Sequence, residues 1–174
     1  RFAQIKEQSA GHLYIVAVDD GTEKRCENFL DRAFSEIIDE EELYKLICYI
    51  GGDRVSYGDK KSSFKSFSQI NEHNIDPQGV YIILDDMFAS GGTSNNIAKK
   101  LKEWKASRVE VWTSHAVTMP LQYSKANDRS SIDYVVCLDT VPQNSVLNIE
   151  YIKASADLLA AELYKMHKKL ASTR

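Results

Sequence analysis

The chain predicts an α/β domain of three layers: a mainly parallel sheet of about five strands with helices on both faces. Three observations carry this. Short apolar runs rich in β-formers recur at residues 13–18, 46–50, 81–84, 109–115 and 134–138, and such runs read as strands buried on both faces. Stretches with apolar residues every three or four positions lie between them, as helices laid back over a parallel sheet require. Finally, two of the runs end in paired acids and glycine just before a helical stretch. The carboxyl end of a parallel strand is where α/β sheets place their ligands.

In order, residues 1–9 read as the tail of a helix closed by Gly11. The run 13–18 ends in Asp19, Asp20 and Gly21, and a strong helix follows, with Cys26, Phe29, Leu30, Ala33, Phe34, Ile37 and Ile38 on one stripe. Asp19 and Asp20 serve equally well as turn and cap residues or as ligand-facing acids. Residues 39–42, Asp-Glu-Glu-Glu, read as a solvated connector. The run 46–50 ends in Gly51, Gly52, Asp53 and Arg54. The polar loop 55–65 after it carries Gly58 and suits a mobile cover or an ordinary exposed loop equally. Residues 66–70 suggest a short edge strand, and 74–79, with Pro77 and Gly79, a turn.

Tyr81-Ile82-Ile83-Leu84 then reads as a central strand ended by Asp85 and Asp86, and Ser90-Gly91-Gly92-Thr93-Ser94 leads into a helix striped by Ile97, Ala98, Leu101 and Trp104. Thr93 or Ser94 is the expected N-cap. Glycines let the backbone turn sharply and approach a ligand. The free N–H groups and positive dipole end of a helix start attract an anion. Two carboxylates a few residues earlier accept hydrogen bonds from a vicinal diol. Phosphate plus diol is the chemistry of a ribose phosphate.

The strand at 109–115 ends in Ser114 and His115, a strand-end histidine read as structural. Residues 120–126 suggest a short helix with Pro120 near its start. The strand 134–138 is followed by Asp139-Thr140-Val141-Pro142, a short strand by 149–152, and a terminal helix by the stripe Ala156, Leu159, Ala160 and Leu163. The chain begins at Arg1 inside a helix-like segment, which suggests a fragment.

Composition bounds the function. In 174 residues, 43% hydrophobic content is enough for one core, and a net charge of −3 gives no basic footprint for nucleic acid. No segment approaches the ~20 apolar residues that span a bilayer. Cys26, Cys48 and Cys137 have no metal-site spacing and read as buried reduced thiols, which points to the cytoplasm.

The window Leu84-Asp85-Asp86-Met87 through Ser90-Gly91-Gly92-Thr93 resembles the phosphoribosyl pyrophosphate (PRPP) loop of the type I phosphoribosyltransferase fold. More narrowly, it is similar to the version in ribose-phosphate diphosphokinases, the PRPP synthetases. Val18-Asp19-Asp20-Gly21-Thr22-Glu23-Lys24-Arg25 resembles that family's Pro-Asp-x-Gly-x-x-Lys-Arg motif, Ser114-His115-Ala116 its Thr-His-Gly, and Asp139-Thr140-Val141-Pro142 its Asp-Thr-Ile-Pro. The resemblance covers nearly the whole chain and only the family's C-terminal half.

It implies one phosphoribosyltransferase-like domain, residues 1–174, from a longer two-domain chain. It implies ribose hydroxyls on Asp85 and Asp86, a 5-phosphate on Ala89, Ser90, Gly91, Gly92 and Thr93, Mg2+ near Asp19, and Arg54 at the transferred diphosphate. The implied partners are ribose 5-phosphate or PRPP, ATP, and a homo-oligomer or a hetero-oligomer with a paralogue. Two positions depart from the family: Ala89 stands where a third Asp is usual, and Gly52 where the lysine of Lys-x-Arg belongs. Both favour reduced or lost activity. Besides a diphosphokinase-like enzyme, the readings are a non-catalytic regulatory paralogue and a free-standing phosphoribosyltransferase that makes a nucleotide from a base.

Overall fold

The computed structural model describes residues 12–17, 20–34, 47–50, 68–70, 72–122, 124, 126, 130–142, 147, 149–153, 156, 157, 159–161, 163 and 164. Its elements in chain order are β1 (Leu13–Ala17), α1 (Asp20–Phe34), β2 (Ile47–Ile50), β3 (Ser68–Ile70), β4 (Val80–Phe88), α2 (Gly92–Glu103), β5 (Arg108–Ala116), a single 3-10 turn (Pro120–Gln122), β6 (Tyr134–Leu138) and β7 (Glu150–Ile152). The strands form one sheet in the order β3-β2-β1-β4-β5-β6-β7. Every pairing is parallel. The expected five strands are there, extended at the two edges by the three-residue strands β3 and β7.

Strand alternation sorts the apolar side chains into two layers. Register aligns Val16 with Ile83 and Ile83 with Val111. These residues, with Tyr81, Val109 and Val135, pack against Ala98 and Leu101 of α2. Ile15, Ile82 and Leu84 are buried on the intervening positions. α1 covers that second face: Thr22 and Cys26 are buried on it, and Phe29 meets Trp112 of β5 edge-on at 6.2 Å. Right-handed crossovers demand this arrangement, because the chain leaves β1 toward β2 and leaves β4 toward β5, in opposite directions. Each buried Ile or Leu of the central strands contributes about 1.5–3 kcal/mol through its removal from water.

The amino end of β4 is pinned by one acid. The Asp76 carboxylate takes the Tyr14 hydroxyl at 3.0 Å, lies 2.6 Å from His12 Nδ1, and accepts the Gln78 N–H at 2.9 Å. The Tyr14 and Tyr81 rings stack at 5.0 Å above it. Gly79 is required at this turn, since a Cβ there would come within 2.6 Å of the Tyr81 ring. α2 ends as a Schellman motif, with Ala106 N–H donating to Leu101 O and Lys105 N–H to Lys102 O, both at 2.9 Å. The residue in the left-handed position is Lys105, φ 73°, where glycine is usual.

β5 carries an acid in its middle. Glu110 is fully buried, 2.5 Å from Arg108 Nη2, and accepts Trp112 Nε1–H at 2.7 Å. Arg108 in turn lies 4.5 Å over the Tyr134 ring. The three cysteines are buried and form no disulfide. Among the described residues no helix is long and apolar enough to cross a membrane. Of the predicted terminal helix, positions 156, 157, 159–161, 163 and 164 are helical. Leu159 and Leu163 are nevertheless exposed, so among the described residues that stripe has no core to face.

Candidate active site

Strands β1 and β4 are neighbours whose onward connections diverge, so the sheet has a topological switch point above their carboxyl ends. In open α/β sheets a crevice forms there and ligands occupy it. Three elements deliver polar groups to it: the end of β4, the loop into α2, and the first turns of α1.

Asp85 and Asp86 lie within β4 rather than ending it. The strand runs on to Phe88 because Met87 pairs with His115 and the Val117 N–H donates to Phe88 O at 3.0 Å. Asp85 is half-buried and Asp86 exposed. The Asp86 N–H donates to Asp85 Oδ1 at 2.9 Å, which fixes the first carboxylate against the backbone of the second. Burial, and then a hydrogen bond shared with Asp86, holds the Asp85 carboxyl above the usual range. The same hydrogen bond, aided by the Arg25 charge, holds Asp86 below it.

The loop that follows is held from the segment just after β5: the Thr118 hydroxyl donates to Ala89 O at 2.5 Å and lies 3.2 Å from Phe88 O. The expected side-chain cap at Thr93 or Ser94 does not occur. Gly91 is the N-cap, with φ 72°, and no side chain caps the helix. The left-handed turn at Gly91 starts the helix one residue before Thr93, and Ser94 is buried in its first turn. The Asn95 N–H closes the first helical bond on Gly91 O at 2.7 Å. The N–H groups of Gly92, Thr93 and Ser94 precede that bond and have no acceptor within the helix.

The two glycines answer to different demands. A Cβ on Gly91 would lie 2.8 Å from the Phe88 ring, and its φ already excludes most residues. A Cβ on Gly92 would meet nothing nearer than Ser90 Oγ at 3.6 Å, an ordinary contact. Folding therefore explains the first glycine and leaves the second free for a ligand.

From α1, the Arg25 guanidinium reaches Asp86, Nη2 to Oδ2 at 3.5 Å. Asp85, Asp86 and residues 89–93 are thus brought to one mouth with Arg25. Asp19, Gly52 and Arg54 lie outside the described residues, as do residues 1–11, the acidic stretch 39–42 and the loop 55–65. Among the described residues no group of three His, Cys, Asp or Glu side chains assembles a metal cage.

Two contacts went unread in the sequence. Arg25 sits on the diphosphokinase-like motif, and that motif was the only signal for its pairing with Asp86. His115 is also more than a packing residue: its Nδ1 lies 2.6 Å from Thr140 Oγ1, and that hydroxyl donates to Ser114 O at 2.5 Å. Thr140 spends its proton on a carbonyl, so His115 Nδ1–H is the donor to Thr140 Oγ1. Both residues fall on segments similar to family motifs, Ser114-His115 and Asp139-Thr140.

No family model matches the chain. Two curated proteins, each named ribose-phosphate pyrophosphokinase, match 90 of its residues. That of Prochlorococcus marinus subsp. pastoris is 27% identical and that of a second Prochlorococcus marinus strain 30% identical. The match covers 51% of this chain and 27% and 28% of those relatives. Among solved structures, the phosphoribosylpyrophosphate synthetase of Mycobacterium smegmatis superimposes with a TM-score of 0.63 at 19% identity, over 96% of this chain and 49% of that one. The chain thus spans about half the length of the solved neighbour, and its fold is the one seen there.

Proposed function

We propose that the chain is the ribose 5-phosphate-binding unit of a ribose-phosphate diphosphokinase-like protein, one that moves diphosphate from ATP to ribose 5-phosphate. The single observation that carries the reading is at the switch point: an acid pair near the carboxyl end of β4 is followed within a few residues by an uncapped helix start whose second glycine the fold does not need. The similarity to proteins named ribose-phosphate pyrophosphokinase supports the same reading.

In this reading the 5-phosphate accepts hydrogen bonds from the backbone N–H groups of Gly92 and Thr93, with the Ser90 and Thr93 hydroxyls beside it. The ribose hydroxyls donate to Asp85 and Asp86. The anomeric hydroxyl is left free to bond to the β-phosphorus of ATP while AMP departs. Such transfers are catalysed mainly by positioning and by positive charge on the phosphates. Arg54 would supply charge to them, and Asp19 would help hold a magnesium ion, which would supply further positive charge. An oligomer and a cytoplasmic location belong to the same proposal. The location is supported by three buried cysteines that form no disulfide.

Gly52 and Ala89 favour a second reading, a paralogue that binds ribose 5-phosphate and regulates an active relative. Calorimetry with ribose 5-phosphate, followed by an ATP-dependent PRPP assay on the full-length protein, separates the two. Binding with turnover supports the enzyme, and binding without turnover supports the regulator. In either case Asp85→Asn with Asp86→Asn abolishes ribose 5-phosphate binding while thermal stability stays nearly intact. Unchanged affinity in that double variant rejects the site.

A further inference from the structure

We infer that Arg25 of α1 is a positioning residue that holds Asp86 in the orientation needed to read the ribose hydroxyls, and so sets the preference for ribose over deoxyribose. The inference rests on the ribose 5-phosphate reading above. It starts from a pair that stability does not explain. Arg25 Nη2 and Asp86 Oδ2 are 3.5 Å apart, and their side chains are 42% and 56% exposed. A long, exposed ion pair of that kind adds little to folding, because water screens the charges and two flexible side chains are immobilised.

Its place in the fold is more telling. The pair joins residues 61 positions apart across the switch point, from a helix on one face to the strand end that carries the acids. Arg25 projects from a firm platform: its neighbours Thr22 and Cys26 are buried, and Phe29, one turn on, is docked on Trp112. Asp85 is fixed by the Asp86 N–H, and Asp86, besides the hydrogen bond it shares with Asp85 in its own strand, is reached from α1 by Arg25. Without Arg25 the exposed Asp86 carboxylate loses its tie to α1, while Asp85 and the phosphate cradle stay in place.

That separation gives the consequence. A diol bridging both carboxylates needs both at fixed orientation, whereas a ligand lacking one hydroxyl loses less when the second acid swings away. Loss of Arg25 therefore weakens ribose 5-phosphate far more than 2-deoxyribose 5-phosphate, and leaves inorganic phosphate at the helix start unaffected.

The test is calorimetry with those three ligands on wild type, Arg25→Ala, Arg25→Lys and Asp86→Asn, with thermal melts alongside. Arg25→Ala is expected to cut ribose 5-phosphate affinity about tenfold, the scale of coupling seen between contacting polar groups. It should bring the ribose-to-deoxyribose ratio close to one and leave phosphate affinity and melting temperature unchanged. Arg25→Lys restores part of the ratio, and Arg25→Ala adds nothing once Asp86→Asn is present. If wild type binds ribose 5-phosphate and Arg25→Ala keeps its full preference, or loses all three ligands equally, the role of Arg25 is wrong while the site stands. If wild type binds no ribose 5-phosphate, both fall together.

Discussion

Replacing each loop glycine by alanine separates what the fold requires from what a ligand requires. At Gly91 an alanine must hold φ near 72°, which costs about 1–2 kcal/mol for an L-residue. Its Cβ would also stand 2.8 and 2.9 Å from two Phe88 ring atoms, and Phe88 is a fully buried core residue with little room to retreat. Overpacking of this kind adds about 1–3 kcal/mol. The sum, about 2–5 kcal/mol, lowers the melting temperature of a domain this size by about 4–20 °C. At Gly92 the new methyl meets only Ser90 Oγ at 3.6 Å, and the backbone there is ordinary helix. Alanine restricts the unfolded chain more than glycine does, so stability rises by about 0.4–1 kcal/mol. The same methyl occupies the space through which a phosphate approaches the first helical N–H groups, so ribose 5-phosphate affinity falls at least about tenfold (about 1.4 kcal/mol). Urea unfolding and calorimetry on the two variants supply both numbers. A Gly92→Ala protein that loses stability, or that binds as tightly as wild type, refutes the division of labour between the two glycines.

Other substitutions test the frame. Lys105→Gly relieves the left-handed backbone at the end of α2 and raises stability by about 0.5–1 kcal/mol in urea melts. Arg108→Met removes the cation beside fully buried Glu110 and costs about 3–5 kcal/mol, measured the same way. Asp76 is held below the ordinary carboxylate range: burial opposes this, but hydrogen bonds from the Gln78 N–H, His12 and Tyr14 outweigh it. The unfolded chain therefore takes up the proton first as pH falls. The Asp76 contribution is complete above the unfolded pKa and is lost as pH drops through the folded one. Comparing melts of wild type and Asp76→Asn at neutral and acid pH checks this: the gap between them should close on acidification.

Much of the fold was legible because its signals are local. Residues 15–17, 81–84 and 135–137 are buried whichever face they point to and so are uniformly apolar, and Cys26 and Phe29 fall on the helical stripe of α1 that turns to the sheet. Met87 and Phe88 were not legible as strand, since doubled Asp reads as a strand stop. It is the pairing of β4 with β5, through Met87 and His115, that carries the strand past the acids. The N-cap was misread for a related reason. Thr93 and Ser94 have the right chemistry for a cap, but the left-handed turn at Gly91, which lies against the Phe88 ring, starts the helix earlier. The acid pair and the glycine loop lie within one short window and could be read together. The Arg25–Asp86 contact joins residues 61 apart, and only the folded sheet makes them neighbours.

The most direct test is an amide-resolved NMR titration of the isotopically labelled protein with ribose 5-phosphate. Saturable shifts confined to Asp85, Asp86 and the amides from Ala89 to Ser94, with inorganic phosphate moving only the Gly91–Ser94 subset, are the predicted result. Shifts centred on any other part of the sheet, or none at millimolar ligand, would contradict the account.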